Sequence, residues 1–226
     1  MFTPPPADCP LCPRLVAFRA ANAAAHPAFY NGAVPSFGAL DAQLLVVGLA
    51  PGLKGANASG RPFTGDYAGI LLYEGLAKAG FATGDYAARA DDGFTLKNVR
   101  ITNAVRCVPP ANKPTPEEEK TCNQFLVREL AAMPQLRVII SLGLTSHQAV
   151  LRTLKLKARD YKFAHGAVHT IPPLTSLARQ AGGKEREWSG MLLDSYHTSR
   201  YNVQTGRMNQ GMFDAVLKTA KPLLDA

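Results

Sequence analysis

The chain has 226 residues, enough to bury a core of its own without disulfide staples. Its 25 Lys and Arg outnumber 17 Asp and Glu, a formal excess of +8, which suits a polyanionic partner, with a plain basic surface as the simpler alternative. No apolar run is long enough to span a bilayer, and Met1 is not followed by a basic and then apolar export signal, so a cytoplasmic protein is expected.

Residues 1 to 40 are rich in Pro and Ala, with a short helix expected around Leu15–Ala24 and no separate domain, so that 1–226 reads as one domain with an N-terminal arm. The first strong strand is Gln43–Gly48 (QLLVVG), a continuous apolar run of the kind buried on both faces of a parallel sheet. It runs into the glycine-rich stretch LAPGLKGANASGRPFTGD, after which Ile70, Leu71, Leu72, Leu76 and Ala77 recur at helical spacing through about Ala79. Strand, glycine loop and helix make a βα unit, and in such folds sites form at the carboxyl ends of strands. A second strand, Val99–Val105, hides Ile101 and leaves Asn103 near its exit. Thr115, Pro116 and Glu118 supply a cap, a proline at the first helical position and a carboxylate at the third, so a helix should start there and carry Cys122, Phe125, Leu126 and Leu130 inward. Arg137–Leu142 is a third buried strand, followed by a helix over about Ser146–Leu154. Val168–Ile171 and Leu192–Tyr196 are shorter strand candidates, the second ending at His197, with a polar insert around GGKERE between them that should be exposed. A last helix over Gln210–Leu223 turns Met212, Phe213, Val216 and Leu217 inward. Repeated strand and helix units predict an α/β fold: a three-layer α/β/α sandwich with a central, mainly parallel sheet. The order of its strands is not readable.

Four cysteines stand at 9, 12, 107 and 122. Disulfides could join them in three ways, but nothing supports export to an oxidising compartment. Scattered core cysteines are a second reading, which the close pair CPLC and the polar setting of Cys107 in RCVPPANKPTP disfavour. A shared thiolate centre of zinc or iron–sulfur fits better. Zinc sites usually show two close pairs, whereas fourteen residues separate Cys107 from Cys122, so the spacing leans toward iron–sulfur.

Three loops that follow strands carry unusual polar groups. The first holds Phe63, a flat surface for stacking, and Asp66, which could equally be the cap of the next helix. Its glycines do not follow the GxxxxGK[ST] phosphate-loop spacing, so ATP binding is not indicated. The second exposes Asn103, whose amide can read a base edge or satisfy neighbouring backbone. The third is SYHTSRYNVQTGR, where His197 could donate to an anionic leaving group, Arg200 and Arg207 could meet phosphates, and Tyr201 could wedge or stack.

The segments Gly48–Gly69, Ile101–Glu118 and Ser195–Arg207, with CPLC in front, together resemble family 5 (UDGb-like) of the uracil-DNA glycosylase superfamily. The resemblance implies a 4Fe-4S cluster on Cys9, Cys12, Cys107 and Cys122, and removal of deaminated bases from DNA by a monomer associated with a prokaryotic nucleoid. It implies that Phe63 stacks on the extruded base, Asn103 reads its edge, Asp66 positions water or supports charge on the sugar, and His197 faces the leaving base. Gly48, Leu49 and Ala50 would line the base pocket; Leu49 and Ala50 replace the more polar first motif of families 1 and 4, a change associated with wider base tolerance. Arg200, Tyr201 and Asn202 would fill the gap left by the flipped nucleotide, with Arg207 beside them. No lysine in these motifs is placed as a Schiff-base nucleophile, so a monofunctional glycosylase acting on uracil and on hypoxanthine or similar bases is expected. The chain departs from the family at His197-Thr198-Ser199, where HPS is usual, and loss of that proline is expected to loosen the third loop. Two other classes fit part of the pattern: a non-catalytic damaged-DNA-binding protein that kept the fold, and an electron-transfer protein, which leaves the polar loops unexplained.

Overall fold

The computed structural model describes residues 2–174 and 188–225. The GGKERE insert lies outside the described residues. Five strands form one sheet in the order β4-β1-β5-β7-β6, where β1 is Leu44–Gly48, β4 Val99–Asn103, β5 Val138–Leu142, β6 Val168–Leu174 and β7 Trp188–Ser195. Three of the four pairings are parallel, and β6 alone runs antiparallel, against β7. A register break between Ile171 and Leu174 falls on Pro172 and Pro173, residues that cannot donate to a ladder and are tolerated at this outer position.

The sheet is buried on both faces because its strands are apolar at successive positions, not alternate ones. Leu44, Val46, Ile101 and Ile140 face one core with Leu72 and Leu76 of α3 (Tyr67–Lys78) and Phe213, Val216 and Leu217 of the last helix. Leu45, Val47 and Ile139 face a second core with Leu126 and Leu130 of α4 (Pro116–Ala131) and Val150 and Leu151 of α5 (Leu144–Thr153). Helices on both faces of a mostly parallel sheet make the expected three-layer α/β/α sandwich. The remaining helices are α1 (Pro13–Ala25), the single turn α2 (Ala56–Ser59), α6 (Arg200–Gln204) and α7 (Gln210–Leu223). Sequence patterning found all of the sheet strands and the long helices to within a few residues. It missed α6 and a two-stranded ribbon of Ala82–Thr83 with Thr95–Leu96.

Local chemistry sets the ends of these elements. Thr115 accepts from the Glu118 N–H while the Glu118 carboxylate accepts from the Thr115 N–H, the reciprocal cap expected from the sequence. Within α4, Glu129 is fully buried and receives the Arg100 Nε at 2.6 Å, the Thr102 hydroxyl at 3.0 Å and the Arg106 guanidinium. Burial alone would push its carboxyl up, but Arg106 and Arg100 outweigh that and draw it below the usual range. These contacts join α4 to β4, the strand that ends at Asn103. Among the described residues no helix is long and apolar enough to cross a membrane.

Candidate active site

The loops after β1, β4 and β7 meet at the carboxyl end of the sheet around a cleft of about 720 Å³. Its walls bring together Leu49, Ala50, Phe63, Asp66, Asn103, His197 and Arg200 of the predicted set. Gly48 lies beneath it: a β-carbon there would stand 2.4 Å from both Asn103 Oδ1 and Phe63 Cζ, so the strand must end in glycine for those two groups to sit side by side. Phe63 is buried and held at φ +55°, an uncommon conformation for a bulky residue, and its carbonyl accepts from the Tyr86 hydroxyl at 3.2 Å.

The segment that presents Phe63 is braced by a group the sequence did not reveal. Arg61 makes two 2.8 Å hydrogen bonds to Asp92 and lies 5.0 Å from the Phe37 ring centre and 5.4 Å from that of Tyr73. The Arg61 hydrogen bonds hold Asp92 well below the ordinary carboxylate range. The partners lie 31 residues apart, Arg61 just after α2 and Asp92 in the loop between the two ribbon strands, so no spacing relates them.

Asp66 does cap α3, accepting from the Gly69 N–H at 3.1 Å. It also lines the cleft, with Oδ2 packed so closely on Gly55 that a β-carbon there would clash. Burial raises its carboxyl pKa, partly offset by the N–H groups of Gly69 and Ala68. Asn103 is 3 % exposed and its Oδ1 has no hydrogen-bond partner among the described residues. An orphaned buried acceptor on a cleft wall is costly unless a ligand donor meets it. His197 lies opposite, 6.1 Å from Phe63 between ring centres, and burial lowers its pKa to about 4, so the ring is neutral at neutral pH.

The rest of the third loop divides. Arg200 lines the cleft and lies 5.5 Å over the Tyr67 ring. Tyr201 is 71 % exposed on α6. Asn202 turns inward and donates through Nδ2 to the His197 carbonyl at 2.8 Å. Arg207 stacks 4.8 Å over Tyr196 and is not part of the cleft wall. Thr198 is fully buried, its hydroxyl donating to the Ala68 carbonyl at 3.0 Å, so the loop gains a tether where a loosening was expected. Lys54, Asn112 and Ser199 also line the cleft. Of these, only Ser199 carries a signal legible in sequence, as the cap of α6, where it accepts from the Asn202 N–H.

The expected 4Fe-4S centre on Cys9, Cys12, Cys107 and Cys122 is corrected. The four residues line one small apolar pocket as free thiols, but no three of their sulfurs come within 4.8 Å of one another. The space between them is about 10 Å³, room for one water. Cys107 Sγ accepts from Arg19 at 3.2 Å and Cys122 Sγ from the Arg106 N–H, and burial raises both thiols, Cys122 to about 12. The N-terminal arm is fastened by other groups: Arg19 also reaches the Ala7 and Cys9 carbonyls, and Arg14 forms a two-pronged pair with Glu118 at 2.7 and 2.6 Å. Among the described residues the one compact set of potential metal ligands is His147, His169 and Asp194. There Asp194 receives the His147 Nδ1 at 2.7 Å, the His169 Nε2 at 2.9 Å and the Ser141 hydroxyl at 2.8 Å. Those are hydrogen-bond lengths.

A strand-order reversal with three polar loops over one cleft defines an α/β protein with its candidate site at the carboxyl ends of its strands. Residues 35–221 match the Uracil DNA glycosylase superfamily, and the chain belongs to that superfamily. It is 42% identical over 220 residues to the Type-5 uracil-DNA glycosylase of Thermus thermophilus, covering 95% of this chain and 93% of that one. It is 37% identical to the protein of the same description from Mycobacterium leprae (95% and 91% covered) and 36% identical to that of Pyrobaculum aerophilum (94% and 88%).

Proposed function

We infer that this chain is a monofunctional DNA glycosylase of base-excision repair, hydrolysing the N-glycosidic bond of uracil and of other deaminated bases such as hypoxanthine. The observation that carries the reading is the orphaned Oδ1 of Asn103, buried beside Phe63 in the cleft. A deaminated base presents a ring N–H next to a carbonyl, a donor that this acceptor can take. Cytosine and adenine carry an unprotonated ring nitrogen beside an amino group there, the reverse of that donor and acceptor order, so they cannot pair with both the Oδ1 and the Nδ2 of Asn103, a discrimination that buried polar groups enforce strongly. The base must leave the duplex to reach such a pocket, with Phe63 as its stacking surface.

Cleavage builds positive charge on the sugar and negative charge on the departing base. The Asp66 carboxylate, helped against the cost of its burial by backbone N–H groups, suits the first and can hold the attacking water; neutral His197 suits the second as a hydrogen-bond donor. The Type-5 relatives, named as uracil-DNA glycosylases, support the same chemistry.

The test is single-turnover release from duplexes carrying one uracil or one hypoxanthine. Asp66→Asn and His197→Ala are expected to slow release by roughly 10²–10³-fold while duplex binding changes little. Retention of the duplex without base release by the unaltered chain would favour a binding-only role. Lys54 lies in the cleft, so borohydride trapping is the second arm: a monofunctional enzyme gives an abasic site and no covalent protein–DNA adduct, whereas an adduct lost in Lys54→Ala would assign a Schiff-base route.

A further inference from the structure

The segment that delivers His197 is pinned at nearly every residue. The Gly143 N–H donates to the Ser195 carbonyl at 2.8 Å, the Tyr196 N–H to His165 Nδ1 at 3.1 Å, and Asn202 to the His197 carbonyl. These contacts fasten the loop to β5, to the chain before β6 and to itself. Thr198 does something different, because its 3.0 Å hydrogen bond reaches Ala68, a cleft residue in the first turn of α3. Ala68 stands two residues after Asp66 and directly before Gly69, whose N–H donates to the Asp66 carboxylate at 3.1 Å. The first turn of α3 therefore holds Asp66 through the Gly69 N–H and Thr198 through the Ala68 carbonyl, and Thr198 directly follows His197.

We propose that Thr198 is a positioning residue that fixes the distance between the Asp66 and His197 sides of the cleft through Ala68. The inference rests on the proposed roles of Asp66 and His197. Its physical basis is that the two groups come from segments 131 residues apart in sequence, on different elements, with charge of opposite sign to stabilise. A displacement of about 1 Å between such groups can cost on the order of 10²-fold in rate. A threonine hydroxyl ties the loop by a hydrogen bond, where a proline would restrain it only through its own ring. The Thr198 side chain is fully buried, so no water can substitute for it at no cost.

The test compares Thr198→Val, which keeps the shape and removes the hydroxyl, with Thr198→Ser, which keeps the hydroxyl. Three quantities are read: single-turnover release of uracil, affinity for the same duplex, and the imidazole NMR resonances of His197 in the free protein. Thr198→Val is expected to slow release about tenfold or more with duplex affinity within about twofold of the unaltered chain, and to move the His197 resonances; Thr198→Ser restores both. Equal release by the valine variant, or equal losses in valine and serine variants, overturns the proposal. If the unaltered chain releases no base, the glycosylase reading fails, and the NMR comparison still decides the tether: unmoved His197 resonances in a folded valine variant refute it. A thermal melt of each variant separates a displaced histidine from an unfolded domain.

Discussion

Asp66 and His197 illustrate how one kind of environment drives two groups in opposite directions. Burial disfavours the charged form of each, so it raises the Asp66 carboxyl and lowers the His197 ring to about 4. At neutral pH His197 is a neutral donor, and the proposed chemistry needs Asp66 as the anion beside it. Base release should therefore fall on acidification along a limb above the ordinary aspartate value, because a raised pKa means that the carboxylate is lost sooner as pH drops. No inflection near 6.5 should come from His197. Single-turnover rates from pH 4 to 8 check this: Asp66→Asn should flatten the acid limb, and a limb near 6.5 abolished by His197→Gln would contradict the assignment. The same shift carries a sign for stability. A raised folded pKa contributes stability only while the group is protonated, and that contribution is lost as pH rises through the folded value. Ionisation of the buried Asp66 thus opposes folding, and Asp66→Asn, which can still cap α3, should melt no lower than the unaltered chain while losing activity.

The elements that hold these residues were legible where a local pattern declares them. β1 announces itself by four successive apolar residues that are all fully buried, and α4 by a cap box whose two hydrogen bonds both form. What escaped the sequence are pairings across distance: Arg61 with Asp92, Arg14 with Glu118, and the three groups gathered on each of Glu129 and Asp194. No periodicity relates such partners, and each was equally readable as a solvated surface charge. The cysteines show the reverse hazard. Their spacing suggested a compact four-thiolate set, while the fold surrounds one small apolar pocket with them and gives two of the sulfurs to Arg19 and the Arg106 N–H. Glu129 is the long-range contact with most at stake, because removing its charge leaves Arg100 and Arg106 buried and uncompensated. Glu129→Gln should cost about 3–5 kcal/mol in urea unfolding. A loss below about 1 kcal/mol would mean that water or rearranged side chains already satisfy the two arginines.

Across the whole molecule, the excess of basic residues matters only through where it falls. Of the charged side chains lining the cleft, Lys54 and Arg200 are cationic and Asp66 alone is anionic. Arg200 stands at the start of α6 beside the exposed Tyr201, a position open to the phosphates of a duplex. Phosphate contacts of this kind fix the position of DNA without reading its sequence, and each releases counterions on binding. Duplex affinity should consequently fall steeply and log-linearly with salt. Arg200→Ala and Lys54→Ala should each weaken binding to damaged and undamaged duplexes alike and reduce the salt slope by about 1. Asn103→Ala should behave in the opposite way, leaving the slope unchanged while abolishing preference for a deaminated base. The separation follows from geometry: the cations stand at the rim, where both duplexes pass, and Asn103 lies inside, where only an extruded base arrives. A change in slope at Asn103, or an effect of Arg200 confined to damaged DNA, would place backbone and base recognition on the wrong residues.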